Sequence, residues 1–331
     1  MRIEAFSEGK DPARADANED RFVILPGRAY AVIDGVTDRI GARYDGMLAG
    51  QYGAHLIKEA IEERLGRSDP DIADARDLVP FVTGVIAAAY ERHGTYEKAR
   101  VDWNHRFSAT LAIALERPDH LDLLLVGDSG IRLDAARDLR LEKDLDLITA
   151  TARQQVWKVV AARSDDPAVR ETISRRVTWS GTRQDAAGLA PHLRRDDLLA
   201  IEAAAIAAAC ARFPALPTAE IERLVRGGII NAQGAFQNNA GAALGYSCFD
   251  GFEVPMRFVH HERVPRAGLR MVELYTDGYF KPGAGFGIES WETAFREVEA
   301  ADPAKIDRYP SVKGTLGIVK ADDRTYLGIE F

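Results

Sequence analysis

The chain has 331 residues, 46% of them hydrophobic, which is the balance of an ordinary folded protein and not of a disordered or collagen-like one. Acidic residues outnumber basic ones by 51 to 43, and the net charge of -8 argues against non-specific binding to nucleic acid. No uncharged apolar stretch approaches the roughly 20 residues of a transmembrane helix, and the first residues lack the apolar core of a signal peptide. We therefore expect a cytoplasmic protein that does not bind membranes.

Cysteine and histidine give no indication of a metal site of the zinc type. Cys210 and Cys248 lie outside any CxxC or Cys/His motif. Their pattern favours two free, buried thiols, and a disulfide between them stays open. His260 and His261 sit in a predicted strand without a third ligand at a recognisable spacing.

The amino-terminal third begins with short apolar runs and then changes to helical spacing. Residues 2–6 predict a strand, and the runs 21–25 and 30–33, each closed by a turn signal, predict a hairpin of buried strands. Apolar residues that recur every three to four positions predict helices over 46–65 and 77–96.

The middle of the chain contains strands followed by a long helical stretch. Runs at 106–115, 121–126 and 131–133 predict strands that we interpret as one β-meander. From 144 to 234 the chain is rich in alanine and charged residues, and proline-containing breaks divide it into three or four helices. We interpret 140–235 as a helical cap inserted into a single domain that spans 1–331.

The carboxy-terminal quarter returns to strands around one helix. Strands are predicted at 256–261, 271–275, 314–319 and 325–330. The last two strands are expected to form a hairpin. Residues 291–300 are expected to form a helix with Ser290 as its N-cap. Strands in antiparallel clusters and helices in separate groups predict an α+β fold and not regular βαβ alternation.

Acidic residues follow three of the predicted strands. Asp34, Asp128 and Asp277 each end an apolar run and have a glycine beside them, Asp322 precedes the last strand, and residues 18–20 (Asn-Glu-Asp) precede another. Any one Asp-Gly pair is most often an ordinary turn. A set of carboxylates at rigid strand ends would repel one another unless a cation neutralised them, and oxygen ligands suit Mg²⁺, Mn²⁺ or Ca²⁺.

Taken in order, these motifs resemble the metal-dependent Ser/Thr protein phosphatases of the PPM (PP2C) type. The matching segments are NEDRF (18–22), YAVIDGV (30–36), RFSATLAIAL (106–115), LLLVGDSGIRL (123–133), ALGY (243–246), VELYTDGYF (272–280) and DDRTYLGI (322–329). The resemblance covers roughly 1–134 and 240–331. It implies an αββα sandwich of two antiparallel sheets flanked by helices, and an enzyme that hydrolyses phosphoserine and phosphothreonine monoesters in phosphoprotein or phosphopeptide substrates.

The resemblance also implies a binuclear Mn²⁺ or Mg²⁺ centre. Asp34 would bridge the two ions, and the Gly35 carbonyl would help to bind one of them. Glu19 would serve the second ion, and Asp20 would hold a metal-bound water. Such a centre activates water directly, so no phosphoenzyme is required.

The remaining acids would complete this centre. Asp277 and Asp322 would finish the first ion's ligands, and Asp128 would contribute to a third, weaker ion. Asp322 is preferred over Asp323 because the family's terminal motif has threonine three residues after the acid, which here is Thr325.

The chain departs from the family at two functional positions. The phosphate-binding arginine is expected at Ala15, and Arg14 would serve if the loop carries a one-residue insertion. Val36 stands where eukaryotic members have a histidine proposed as general acid. These departures keep an alternative open, a catalytically weak or inactive pseudo-phosphatase that binds partners through the helical insertion. A haloacid-dehalogenase mechanism with Asp34 as nucleophile would need an aspartate in place of Val36.

Overall fold

The computed structural model describes residues 1–67 and 72–331. The chain divides into two compact units. The first contains Met1–Glu142, Tyr246–Arg296 and Asp322–Phe331. The second contains Lys143–Gly245 and Glu297–Ala321, so it holds most of the predicted insertion together with a later segment that the sequence does not assign to it. Within the described residues, no helix combines the length and the hydropathy of a membrane span.

The first unit is built on two five-stranded antiparallel sheets. Its strands are β1 (Arg2–Glu8), β2 (Arg21–Leu25), β3 (Ala29–Gly35), β4 (Arg43–Tyr44), β5 (Met47–Leu48), β6 (Ala109–Glu116), β7 (His120–Val126), β8 (Gly130–Leu133), β9 (Arg137–Arg140), β10 (Val259–Pro265), β11 (Met271–Tyr275) and β12 (Arg324–Glu330). The first sheet has the order β1-β12-β11-β8-β9 and the second the order β10-β7-β6-β3-β2, while β4 and β5 form a small separate hairpin.

Helices cover both sheets of this unit. They are α1 (Ala49–Gly66), α2 (Leu78–Arg92), the short α3 (Tyr96–Val101) and, near the carboxy terminus, α8 (Ile288–Ala301), whose residues up to Arg296 belong to this unit. Trp291 of this last helix packs on Tyr275 and Tyr326 of the first sheet. The layers are therefore helix, sheet, sheet and helix, which confirms the predicted α+β class and sandwich.

The apolar run of β3 shows why the sequence folds in this way. Successive side chains of a strand point to opposite faces. Tyr30 and Val32 pack in the core between the two sheets, whereas Ala31 and Ile33 pack in the core beneath α1 and α2. Because both faces are buried, the sequence of this strand is an uninterrupted run of apolar residues and does not alternate between apolar and polar residues.

The second unit is helical. It contains α4 (Asp144–Ala161), α5 (Pro167–Ser180), α6 (Arg195–Arg212) and α7 (Thr218–Asn231), which agrees with the predicted number and breaks. Arg153 is fully buried, forms an ion pair with Glu171, and donates to the carbonyls of Ala304, Lys305 and Ser311. These bonds attach the later segment of this unit to its helices.

Two predicted strand pairings are wrong. The predicted meander does not stay in one sheet, because the chain leaves the second sheet after β7 and enters the first sheet at β8. Residues 314–319 do not form a strand of a terminal hairpin, and β12 pairs instead with β1 and β11. Alternation of apolar residues indicates that a strand exists, but it does not specify the neighbouring strand.

Several predicted boundaries also need correction. The first helix begins at Ala49 because the preceding residues belong to β5. The second ends at Arg92, and a left-handed Gly94 separates it from α3. Ser290 lies inside α8, where its hydroxyl accepts from the Gly285 amide, and is not the N-cap.

The predicted strand at 256–261 begins later than expected, because residues 256–258 form a 3-10 turn before β10. Both cysteines are thiols outside any disulfide, and Cys210 is only partly buried.

Candidate metal centre

Three aspartates from both sheets converge in the first unit. Asp34 is the penultimate residue of β3, Asp128 follows β7, and Asp277 follows β11 after one residue. One carboxylate oxygen of each lies within 4.8 Å of the others. The first two come from the second sheet and the third from the first sheet, so the strand ends of both layers meet at this point.

Close backbone packing holds these strand ends. A side chain at Gly35 would place its Cβ 2.4 Å from the Gly50 carbonyl oxygen, so only glycine fits beside Asp34. Gly127 has a φ of 88°, which turns the chain sharply before Asp128, and its amide donates to the Ser247 hydroxyl at 3.2 Å. The carboxylates are therefore carried by rigid backbone.

Glu19 and Asp20 add two buried carboxylates, with 3% and 2% exposure. Glu19 Oε2 accepts from Lys10 Nζ at 2.6 Å and from Thr37 Oγ1 at 2.9 Å, and Asp20 Oδ2 accepts from Thr276 Oγ1 at 2.7 Å. The other oxygen of each, Glu19 Oε1 and Asp20 Oδ1, is buried without a hydrogen-bond partner. Such oxygens are costly to bury unless a cation balances them, so these residues fit a metal centre.

Two further acids precede β12. Asp323 is 3% exposed and accepts from the Lys10 backbone amide at 2.6 Å and from the Glu19 amide at 3.3 Å. The more exposed Asp322 lies 3.5 Å from Lys10 Nζ through its Oδ1. Both acids preceding the strand thus face the same lysine.

Burial and mutual repulsion disfavour the charged forms of the central acids. Burial is the largest cause that raises the pKa of Asp34 well above its ordinary value. The further causes, in decreasing order, are the carboxylates of Asp277, Asp20, Asp322 and Asp128. Burial and the neighbouring Asp323 likewise raise the pKa of Asp20. A bound cation would relieve this repulsion, which is the electrostatic condition for binding a hard metal ion.

Two cations were missed by reasoning from the sequence. Burial opposes the charge of Lys10, but the carboxylates of Asp322, Glu19 and Asp323 outweigh it and raise the pKa of the ammonium. Lys10 looks like any lysine of a polar loop. The pairing of strands could have identified this lysine. β1 and β12 are antiparallel, and Glu8 lies opposite Arg324. Because Lys10 follows Glu8 by two residues, the same register brings it to the acids that precede β12.

Arg140, the last residue of β9, is the second of these cations. Desolvation opposes its charge, but the carboxylates of Asp277 and Asp128 raise the pKa of its guanidinium. Arg14, by contrast, lies in the short helical stretch Pro12–Ala17, and its 65% exposed side chain donates to Asp11 at 3.0 Å. The structure therefore brings the predicted acids together and places Arg14 on a surface aspartate.

A second acidic group in the same unit has a different character. Asp74, Asp122 and His261 also have ligand atoms within 4.8 Å of one another. Here Asp122 accepts from His261 at 2.6 Å and from the Ala75 amide at 2.7 Å, and Arg263 donates to Asp74 at 2.9 Å. Because protein donors already form hydrogen bonds to these carboxylate oxygens, we interpret the group as a network of hydrogen-bonded ion pairs and not as a metal site.

Comparison with known proteins gives matches in structure only. No family model matches the chain, and no curated protein matches it. Solved structures that match include Stp1 of Staphylococcus aureus (11% identity, 100% of this chain and 95% of that chain, TM-score 0.44). PstP/Ppp of Mycobacterium tuberculosis matches at 17% identity over 100% and 98% of the two chains, with a TM-score of 0.44. PppA of Pseudomonas aeruginosa matches at 14% identity over 99% and 96%, with a TM-score of 0.40.

These are full-length structural matches to bacterial PPM (PP2C) Ser/Thr phosphatases at low sequence identity. A PstP catalytic domain among them, 16% identical over 99% of this chain and 97% of that chain with a TM-score of 0.44, is described as a complex with 2 manganese ions.

Proposed function

We propose that this chain is a metal-dependent phosphatase that hydrolyses phosphoserine and phosphothreonine monoesters in cytoplasmic phosphoproteins or phosphopeptides. The observation that supports this most directly is the convergence of Asp34, Asp128 and Asp277 beside the partnerless buried oxygens of Glu19 and Asp20. Such a concentration of anionic oxygen is costly for folding and becomes useful only when cations bind to it.

The donor set indicates which cations these would be. The ligands are carboxylates together with the Gly35 carbonyl, and neither histidine nor cysteine is among the proposed ligands. Hard divalent ions such as Mn²⁺ and Mg²⁺ prefer such oxygen ligands, whereas structural zinc prefers His and Cys. We propose two such ions, with Asp128 available for a third.

Each acid then has a distinct proposed role. Asp34 would serve both ions, and Glu19 would serve the second of them. Asp277 and Asp322 would serve the first. When bound, such ions would supply Lewis acidity that lowers the pKa of a water and draws charge from the phosphate oxygens.

Asp20 is suited to orient the attacking water. The Thr276 hydroxyl fixes its Oδ2, which leaves Oδ1 as an acceptor in a buried position. A carboxylate held in this way can accept a hydrogen bond from water and keep the oxygen lone pair directed at phosphorus. Arg14 is proposed to bind the phosphate, which requires its guanidinium to leave Asp11.

One observation favours the alternative of a pseudo-phosphatase. The side chain of Arg14 pairs with Asp11 at the surface, and Val36 supplies no acid for the leaving group. A protein without phosphate recognition could keep the fold and bind partners through its helical unit. This alternative predicts metal binding without turnover.

Replacement of the central acid tests the proposal. Asp34→Ala removes the carboxylate shared by both ion positions, so hydrolysis of an aryl phosphate in Mn²⁺ is expected to fall by at least about a thousandfold. The fold should survive, because the residue lies at a strand end. Asp119→Ala changes an aspartate whose side chain is 86% exposed and is the matched control. An Asp34→Ala protein as active as this control would refute the proposed centre.

A further inference from the structure

Lys10 occupies the middle of a cage of oxygen atoms at one side of the acid cluster. Its Nζ lies 2.6 Å from Glu19 Oε2, 3.0 Å from Asp323 Oδ2, 3.5 Å from Asp322 Oδ1 and 3.2 Å from Thr37 Oγ1. Three carboxylates and a hydroxyl around one point are also the surroundings that a hard divalent cation takes in proteins.

The backbone fixes this position. The Lys10 amide donates to Asp323 Oδ1 at 2.6 Å, so one aspartate holds both the main chain and the ammonium of the lysine. Asp323 also accepts from the Glu19 amide, which ties the second carboxylate of the cage to the same place. With only 20% of its side chain exposed, Lys10 is built into the cluster and is not a mobile surface lysine.

One ammonium cannot balance the whole cluster. The acids described above are Glu19, Asp20, Asp34, Asp128, Asp277, Asp322 and Asp323. Lys10 lies within 3.5 Å of only three of them. Glu19 Oε1 and Asp20 Oδ1, both buried, have no hydrogen-bond partner despite the presence of the lysine. Negative charge therefore remains in the cluster for divalent ions, while Lys10 already occupies the side formed by Glu19, Asp322 and Asp323.

We propose that Lys10 is a tethered cation that competes with a divalent metal ion for Glu19, Asp322 and Asp323. This inference rests on the proposed metal centre. The ammonium is a compact point charge, and a metal ion at bonding distance from the same oxygens would have to displace it. The wild-type chain consequently binds weakly any divalent ion that uses Glu19, Asp322 or Asp323.

Counting bound Mn²⁺ tests this competition without any activity assay. The free ion is measured by its electron paramagnetic resonance signal during titration of the full chain. Lys10→Met removes the charge and keeps most of the length of the side chain, so it should bind one more Mn²⁺ per chain, or bind the weaker ion at least about tenfold more tightly. Lys10→Arg keeps the charge and should resemble the wild type.

A matched lysine outside the cluster serves as control. Lys58 of α1 pairs with Glu62 at 2.5 Å, and Lys58→Met should leave Mn²⁺ binding unchanged. If Lys10→Met does not fold, the Asp323→Asn variant is compared with the K10M/D323N double variant, in which one positive and one negative charge are lost together. The double variant should bind one more Mn²⁺ than Asp323→Asn, or bind the weaker ion more tightly.

The outcomes separate the two claims. Unchanged or weaker Mn²⁺ binding in Lys10→Met, with the wild type binding Mn²⁺, overturns the competition and leaves the proposed function standing. A wild type and variants that all fail to bind Mn²⁺ overturn the metal centre and the competition together. A gain that Lys58→Met shares would be an effect of overall charge and would also overturn the inference.

Discussion

At the scale of single residues, short sequence motifs predict the acids of the site but not its cations. Asp34, Asp128 and Asp277 could be recognised because each ends a buried strand and has a glycine beside it, and the structure brings them together. Lys10 and Arg140 could not, because a cation in a loop or on an edge strand has no distinctive pattern. Their relation to the acids depends on which strands are neighbours, and that information is not local.

The assignment of phosphate binding to Arg14 makes a kinetic prediction. A charge-assisted hydrogen bond to phosphate contributes about 1.5–3 kcal/mol, so Arg14→Gln should raise the KM for an aryl phosphate about 10- to 100-fold. Steady-state kinetics in Mn²⁺ would measure it. Arg140→Gln is the informative comparison, because Arg140 lies in the field of Asp277 and Asp128. If Arg14→Gln has no effect and Arg140→Gln raises KM, the role belongs to Arg140.

At the scale of elements, apolar patterning defines the strands better than their partners. The hairpin of β2 and β3 was predicted with nearly its observed bounds, because both strands are short apolar runs closed by turn signals. The crossing from β7 to β8 was not predicted, since the sequence of the turn at 127–129 resembles that of any hairpin turn. That crossing joins the two sheets directly at Asp128.

Glu273 of β11 is central to the packing of α8 on the first sheet. Its carboxylate is fully buried and accepts from Arg132 Nε at 2.7 Å, Trp291 Nε1 at 2.8 Å and the Tyr326 hydroxyl at 2.9 Å. Glu273→Ala leaves the buried Arg132 without its counter-ion and should lower the free energy of unfolding by about 3–5 kcal/mol.

Urea unfolding followed by circular dichroism would measure this loss. Glu62→Ala, which breaks a half-exposed pair with Lys58 on α1, is the control and should cost no more than about 1 kcal/mol. Equal losses in the two variants would show that Glu273 does not hold the helix in the way described.

At the scale of the whole molecule, two units share one chain. The sequence indicated the helical insertion, because alanine and charge at helical spacing mark it clearly. It did not indicate that Glu297–Ala321 belongs to the same unit, since the part of that segment after α8 lacks regular periodicity and is attached through buried polar bonds. Glu171, which accepts from the Gly314 amide at 2.9 Å, is one of these attachments.

We propose that the helical unit sets substrate choice, because variable segments carried on a rigid scaffold commonly do so. Replacement of Lys143–Gly245 and of residues 302–321 by Gly/Ser linkers, which leaves α8 whole, should leave hydrolysis of an aryl phosphate largely intact and change activity on phosphopeptides much more. Removal of 143–245 alone should destabilise the chain, because the later segment loses Arg153 and Glu171. Unchanged phosphopeptide selectivity in the doubly replaced protein would contradict the proposed role.

Metal dependence of the wild-type chain tests the central claim most directly. Phosphate release from a phosphothreonine peptide would be measured in Mn²⁺, in excess chelator, and after Mn²⁺ is restored. The proposed centre predicts turnover with Mn²⁺, its loss with chelator and its recovery on restoration, since the acids at Asp34 bind the ions that activate water. Equal turnover in chelator, or none under any of the three conditions, would contradict the account.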